Sequence, residues 1–153
     1  MKQIILSFFI ALIFSFPASA ADGVLNVASQ FSVKETADRL EKIAKEKGMT
    51  LFNRINHSQS AIKMGIPLRD TELIIFGNPK AGSPLMQCQQ SIALDLPQKA
   101  LIWMDENQKV WISYNDVGYL QQRHDVAHCE KIIVKITAAL SAVMKLAAEE
   151  SID

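Results

Sequence analysis

The sequence predicts an α+β domain of β-α-β(4)-α type, a largely antiparallel sheet with long helices packed on one face. Three observations carry this: an amphipathic helix opened by a capping box early in the domain, a two-stranded hairpin in its middle, and a long apolar-periodic helix at its end. The 153 residues begin with a segment outside that fold. Residues 1–20 carry one positive side chain, Lys2, then an apolar run over residues 4–16, then Pro17 before Ala18-Ser19-Ala20. That order of zones is a cleavable secretory signal peptide. The run is shorter than the roughly 20 apolar residues of a membrane span, and cleavage is expected before Ala21. Residues 21–153 then form one exported domain, periplasmic or secreted, of about 130 residues, enough for a single core.

The elements follow in order. Residues 24–30 alternate enough for a first strand. Ser32-Val33-Lys34-Glu35 is a capping box, its hydroxyl and carboxylate each satisfying orphan backbone donors. The helix it opens sets Val33, Ala37, Leu40 and Ala44 on one stripe, with Ile43 beside it, and turns Lys34, Asp38, Glu41, Lys42 and Lys45 to water. Gly48 stops it. Residues 49–56 read as a second strand, followed by a short helical turn around residues 58–64. The run Leu-Ile-Ile-Phe before Gly77 marks a third strand at 73–77, short, β-branched and expected to be buried on both faces.

Residues 78–84 hold too many breakers for a strand, and Ser83-Pro84 opens a short helix through Leu85, Met86 and Cys88. Pro97 ends the loop beyond it. Residues 100–104 and 110–114 pair as a hairpin around Asp105-Glu106-Asn107-Gln108. In the last third, Cys129, Ile132, Ile133, Ile136, Leu140, Val143, Met144 and Ala147 recur at helical spacing and form one broad apolar face. That face must cover the sheet, giving the order β-α-β-β-(short α)-β-β-α.

Charge narrows the partners. The chain has 16 basic and 16 acidic residues, and losing Lys2 with the signal leaves it close to neutral. Such a chain has no basic field to gather nucleic acid or anionic lipid, and no spanning segment follows the signal.

Several blocks resemble a known family: Phe52-Asn53-Arg54-Ile55-Asn56-His57, the stretch from Leu73 through Gly77-Asn78-Pro79-Lys80-Ala81-Gly82-Ser83-Pro84 to Met86, Ile92-Ala93-Leu94-Asp95-Leu96-Pro97, and Val110-Trp111-Ile112-Ser113-Tyr114-Asn115-Asp116 with Tyr119-Leu120 and Arg123-His124. Together they resemble the domain-of-unknown-function family 302. The resemblance implies a compact β-α-β(4)-α domain, often a homodimer, with no settled biochemical activity. The family pattern has Asp where this chain has Asn56 and Pro where it has Val117. The first difference removes a carboxylate beside His57.

The polar residues of these blocks, His57, Asn78, Asp95, Tyr114, Asn115, Asp116, Arg123 and His124, fall at strand ends and adjoining loops, where sites are usually built. A cleft joining them would bind a small polar ligand through Arg123, with hydrogen bonds from Asn78 and Tyr114. A structural reading stands beside it: Asn78 and Asp95 satisfy loop backbone, Asp116 caps the next helix, and Arg123 pairs with Asp95 or Asp116. His57 or His124 as a general base is the enzymatic alternative.

His124 and His128, at i and i+4, would share a helix face, which raises a metal or haem reading. The spacing is common in helices and lacks the H-E-x-x-H glutamate, so no metal site and no cofactor is predicted. Cys88 and Cys129, in a chain bound for an oxidising compartment, are expected to form a disulfide. No G-x-S-x-G or phosphate-cradling glycine motif occurs.

Overall fold

The computed structural model describes residues 22–150; the segment read as a signal peptide lies outside them. The chain forms β1 (Val24–Ser29), α1 (Val33–Glu46), β2 (Thr50–Asn56), α2 (His57–Lys63), β3 (Thr71–Gly77), α3 (Pro79–Cys88), β4 (Gln98–Met104), β5 (Val110–Asn115), α4 (Val117–His124) and α5 (Glu130–Ala148), with 3-10 turns at Gln90–Leu94 and Ala127–Cys129. The five strands make one antiparallel sheet in the order β1-β5-β4-β3-β2. The α+β class and the antiparallel sheet expected from the sequence are therefore found.

Local chemistry explains the best-defined boundaries. Ser32 Oγ accepts from the Glu35 amide at 3.2 Å to start α1. At its other end Gly48 takes a φ of +71°, which costs glycine little. The Met49 amide then reaches Ala44 O and the Gly48 amide Lys45 O, each at 2.9 Å. This is the paired bonding of a Schellman stop. The hairpin of β4 and β5 turns where expected, with Asp105 Oδ1 accepting from the amides of Asn107 at 2.8 Å and Lys109 at 2.9 Å.

One face of the sheet carries the core. Ile74 and Phe76 on β3, Ala100 and Ile102 on β4, and Ile112 on β5 are fully buried, facing Leu40 of α1 and Val143 and Met144 of α5, also buried. Each of these side chains larger than alanine contributes about 1.5–3 kcal/mol by burial. Arg39 of α1 fixes α5 alongside: its guanidinium donates to Ala147 O at 3.1 Å and Leu146 O at 3.0 Å. A cation there complements the negative end of the helix.

The structure departs from the sequence reading at four places. β3 begins at Thr71 and alternates buried with half-buried residues, so it is not buried on both faces. Leu73 and Ile75 lie with Leu101, Trp103 and Trp111 on the opposite, half-exposed side. α3 begins at Pro79 and not at Ser83. Asn78 caps it, and Pro79 sits where a missing N–H removes no helical bond, the same signal that was assigned to Ser83-Pro84. Asp116 does cap a helix, its Oδ1 accepting from the Gly118 amide at 2.9 Å, but that helix is the separate α4. It stops at Asp125, whose φ of +53° is left-handed, so His124 and His128 share no helix face.

Candidate functional site

The strand ends divide the predicted polar residues into two groups. Antiparallel pairing places the end of β3, the start of β4 and the end of β5 together at one end of the sheet, and with them Asn78, Asp95, Tyr114, Asn115, Arg123 and His124. His57 opens α2 at the opposite end, next to Asn56, where it is exposed. At the first end, His124 is buried and its Nε2 lies 2.6 Å from Asp95 Oδ2, while its Nδ1 lies 3.1 Å from Ser91 Oγ. Arg123 Nη1 donates to Asp95 Oδ1 at 3.3 Å. These groups pin the 3-10 turn at Gln90–Leu94 to α4, and both imidazole nitrogens are engaged in doing so.

The other members of the set have their own commitments. Asn78 Oδ1 accepts from the Lys80 amide at 2.9 Å and its Nδ2 donates to Gly48 O at 3.3 Å. Asn115 closes β5 opposite Val24. Tyr114 is buried beneath α5; that burial, helped by the charge of Asp116 and opposed by a hydrogen bond with Ser141, raises its phenol above the ordinary value.

Of these residues only Asn78 borders the larger concavity, an apolar groove of about 750 Å³. Its walls come from α3 and α5 and its floor from the ends of β2, β3 and β4. Small residues of α5, Ala139 and Ala142, leave it open. A register shift between Leu51 and Asn53 in β2 accompanies Phe52, which borders the groove and is 52 % exposed. Bulges of this kind re-aim side chains at sheet margins. Lys47 and Lys135 also border the groove, and no carboxylate does.

Gln98 borders this groove but is itself buried, at 5 % exposure, with its amide oxygen and nitrogen sealed from solvent. Among the described residues neither its Oε1 nor its Nε2 has a hydrogen-bond partner. A buried polar group in that condition costs about 1–3 kcal/mol, and native proteins carry few of them. The sequence reading started this strand at residue 100 and so missed Gln98. The signal was present: extended back by one pleat, Gln98-Ala100-Ile102 puts a carboxamide on the core face.

A second, polar cleft of about 520 Å³ opens at the far end of the sheet. Glu72, on a core-facing position of β3, accepts from Arg54 Nε at 2.5 Å and from Asn56 Nδ2 at 3.2 Å. Arg54 Nη1 reaches Asp38 at 2.6 Å. Against burial, which favours the neutral form, the bonds to Glu72 and Asp38 hold the guanidinium protonated beyond its usual range. The bonds from Lys34 and Arg54 in turn hold Asp38 below its ordinary value. None of these residues except Asn56 and Arg54 fell in a block singled out from sequence.

Cys88, the last residue of α3, is disulfide-bonded to Cys129 just before α5, with Cα atoms 6.5 Å apart. The bond joins the two walls of the groove at one end. His128 lies against both cysteines, but their sulfurs are spent on each other, so this trio offers a cation a single imidazole.

The family described as "Domain of unknown function DUF302" matches residues 25–143. Among curated proteins, "Fluoride-specific ion channel FluC 1" of Brucella suis biovar 1 (strain 1330) is 42% identical over 127 residues, covering 82% of this chain and 50% of that protein. A protein of the same name from Brucella abortus biovar 1 (strain 9-941) is also 42% identical over 127 residues, with 47% of its length covered. The chain thus spans about half the length of the curated relatives it matches. Among the described residues no helix is long and apolar enough to cross a membrane. An uncharacterized conserved protein DUF302 from Bacillus stearothermophilus superposes with a TM-score of 0.75 at 17% identity, covering 83% of this chain and 99% of that one, a likeness of fold. With a family model matching most of its length and the same α+β architecture, the chain belongs to the family of domains of unknown function 302.

Proposed function

We propose that this chain is an exported, non-enzymatic small-ligand-binding or accessory protein, acting as a homodimer, whose ligand occupies the apolar groove between α3 and α5. One observation carries the reading: an apolar groove of about 750 Å³ between α3 and α5, bordered by Lys47 and Lys135 and by no carboxylate, a size within the range of small-molecule sites. The polar set around Arg123 has less claim to the ligand, because Asp95, Arg123, His124 and Ser91 satisfy one another. The same bonds weaken the general-base alternative at His124, and His57, exposed beside the polar cleft, lines neither concavity. The disulfide weakens the metal or haem alternative at His128.

The channel activity in the names of the Brucella proteins is not proposed for this chain. It matches half of each, and we read that half as a part that accompanies the channel. An accessory role fits such a part.

Native mass spectrometry of protein recovered from the exported fraction tests the proposal. The expected species is a dimer lacking residues 1–20, oxidised at Cys88–Cys129, with a small-molecule adduct. Ala142→Trp, on the exposed face of α5 at the groove, should abolish the adduct without unfolding the protein. An adduct that survives Ala142→Trp places the ligand elsewhere.

A further inference from the structure

We infer that residues 62–68, which lead from the last turn of α2 toward β3, insert their apolar side chains into the surface of a lipid bilayer and hold the protein there. The inference deepens the accessory reading and rests on it for the occupant, since a part that accompanies an ion channel works beside a bilayer. Ile62, Met64, Ile66 and Leu68 are 65 %, 76 %, 59 % and 44 % exposed. Large apolar side chains that face water singly need no explanation, but a contiguous cluster marks an interaction site. The backbone here is hydrogen-bonded: the amides of Met64 and Ile66 donate to Ala61 O at 2.9 and 3.0 Å, and that of Gly65 to Ile62 O at 2.9 Å. Gly65, at a φ of +74°, turns the chain where an added Cβ would meet nothing within 4 Å. The turn therefore projects into open space with its apolar side chains fixed outward.

Size and charge select the occupant. Four such side chains expose on the order of 400 Å², about half of the ~800 Å² that each partner buries in a stable protein interface. A bilayer sets no such minimum, because a few apolar side chains buried at the headgroup boundary are enough for reversible attachment. Lys63 and Arg69, both exposed, flank the apolar residues, and their stems can lie on the acyl chains while their charges reach the phosphate layer. Acidic groups stand beside them. Exposed Asp70 follows Arg69, and the Met104 amide donates to Asp70 O at 3.0 Å, which brings the Asp105-Glu106 turn close. The tip thus has no one-sided positive field, and apolar insertion, not attraction to anionic lipid, holds it. Attachment of this kind needs no spanning helix. It also leaves the groove open, since these residues precede Thr71 at the start of β3 and the groove lies at the Gly77 end.

Flotation of protein recovered from the exported fraction tests this, with vesicles of phosphatidylcholine and with vesicles in which part of that lipid is replaced by phosphatidylglycerol. Wild-type protein should float with both to a similar extent, at low and at high salt. Met64→Ser with Ile66→Ser should lower the partition coefficient roughly tenfold or more and leave the urea midpoint unchanged, because both residues face water. Leu94→Ser, at an apolar residue 73 % exposed outside the segment, should float like the wild type. Met64→Trp should be quenched by phosphatidylcholine brominated along its acyl chains beyond the quenching of the wild-type protein, whose own tryptophans are Trp103 and Trp111.

No flotation of the wild-type protein, or flotation that the serine pair leaves unchanged, overturns the inference. The accessory reading survives either result, because protein contacts alone can hold a part to a channel. Flotation confined to the phosphatidylglycerol vesicles and abolished by salt overturns insertion in favour of electrostatic adsorption. A serine pair that converts a dimer to a monomer in vesicle-free buffer assigns the segment to a seam between copies and overturns the lipid assignment. Should the serine pair fail to fold, the quenching of Met64→Trp decides alone.

Discussion

Glu72 and Gln98 sit on neighbouring strands of one sheet, both with side chains on the core-facing side and both nearly excluded from water, at 6 % and 5 % exposure. They differ in what surrounds them. Glu72 meets Arg54 and Asn56, and through Arg54 the charge of Asp38. Gln98 has no side-chain hydrogen-bond partner among the described residues, beside a groove whose lining is mostly apolar. The charged residue is the harder one to bury, yet it is the one the protein provides for. A buried charge must be paired for the fold to survive, whereas a neutral amide is tolerable bare. Two concavities at the two ends of the sheet thus have opposite characters, one closed by its own ion pairs and one left unfinished.

The largest effect expected from that contrast is at the polar end. Glu72→Ala leaves Arg54 partly buried beside Asp38 without its main partner, and should lower stability by about 3 kcal/mol in urea unfolding. A loss below about 1 kcal/mol would mean that Arg54 swings into water and that the cluster is a surface one. Gln98→Leu should do the opposite, raising stability by roughly 1 to 2 kcal/mol, since a group of similar volume replaces an unpaired amide. If it destabilises instead, Gln98 holds the fold together and the contrast fails.

The smallest effect is in the acid limb. Lys34 and Arg54 depress the Asp38 carboxyl below 3.8 in the folded chain. Its contribution is therefore fully present above about pH 3.8 and is lost as pH falls through the depressed value. Asp38 is about half exposed, so screening reduces the expected size to a few tenths of a kcal/mol. Wild-type and Asp38→Asn stabilities should differ near neutral pH and converge toward pH 2, read from denaturant midpoints across that range. Gln98→Leu should retain the wild-type acid limb, because the amide does not titrate.

What could be read in advance was what neighbouring residues decide among themselves. Ser32 finds the Glu35 amide three residues on, Gly48 supplies its own positive φ, and the Asp105 loop closes on its own backbone. Cys88 and Cys129 were legible for a different reason, a shortage of other partners. The start of α3 was misplaced because Asn78-Pro79 and Ser83-Pro84 give the same helix-opening signal, and the helix starts at the earlier one, capped by Asn78. The stop of α4 was missed because Asp125 in a left-handed conformation looks, in sequence, like any other aspartate.

The candidate site was less legible than the fold. Asp95, Arg123 and His124 were singled out among polar residues at strand ends and loops, yet whether they face a ligand or each other depends on separations of 2.6–3.3 Å across 28 and 29 residues of chain. By itself the sequence determined the class of fold, the main helix caps, the hairpin, the cysteine pair and membership of a family, all of which follow from local spacing or composition. Only the tertiary structure decided that Glu72 has a cation and Gln98 has none, because a hydrogen bond across a sheet is fixed by register and by the helices laid over it, and neither is written at the position it affects.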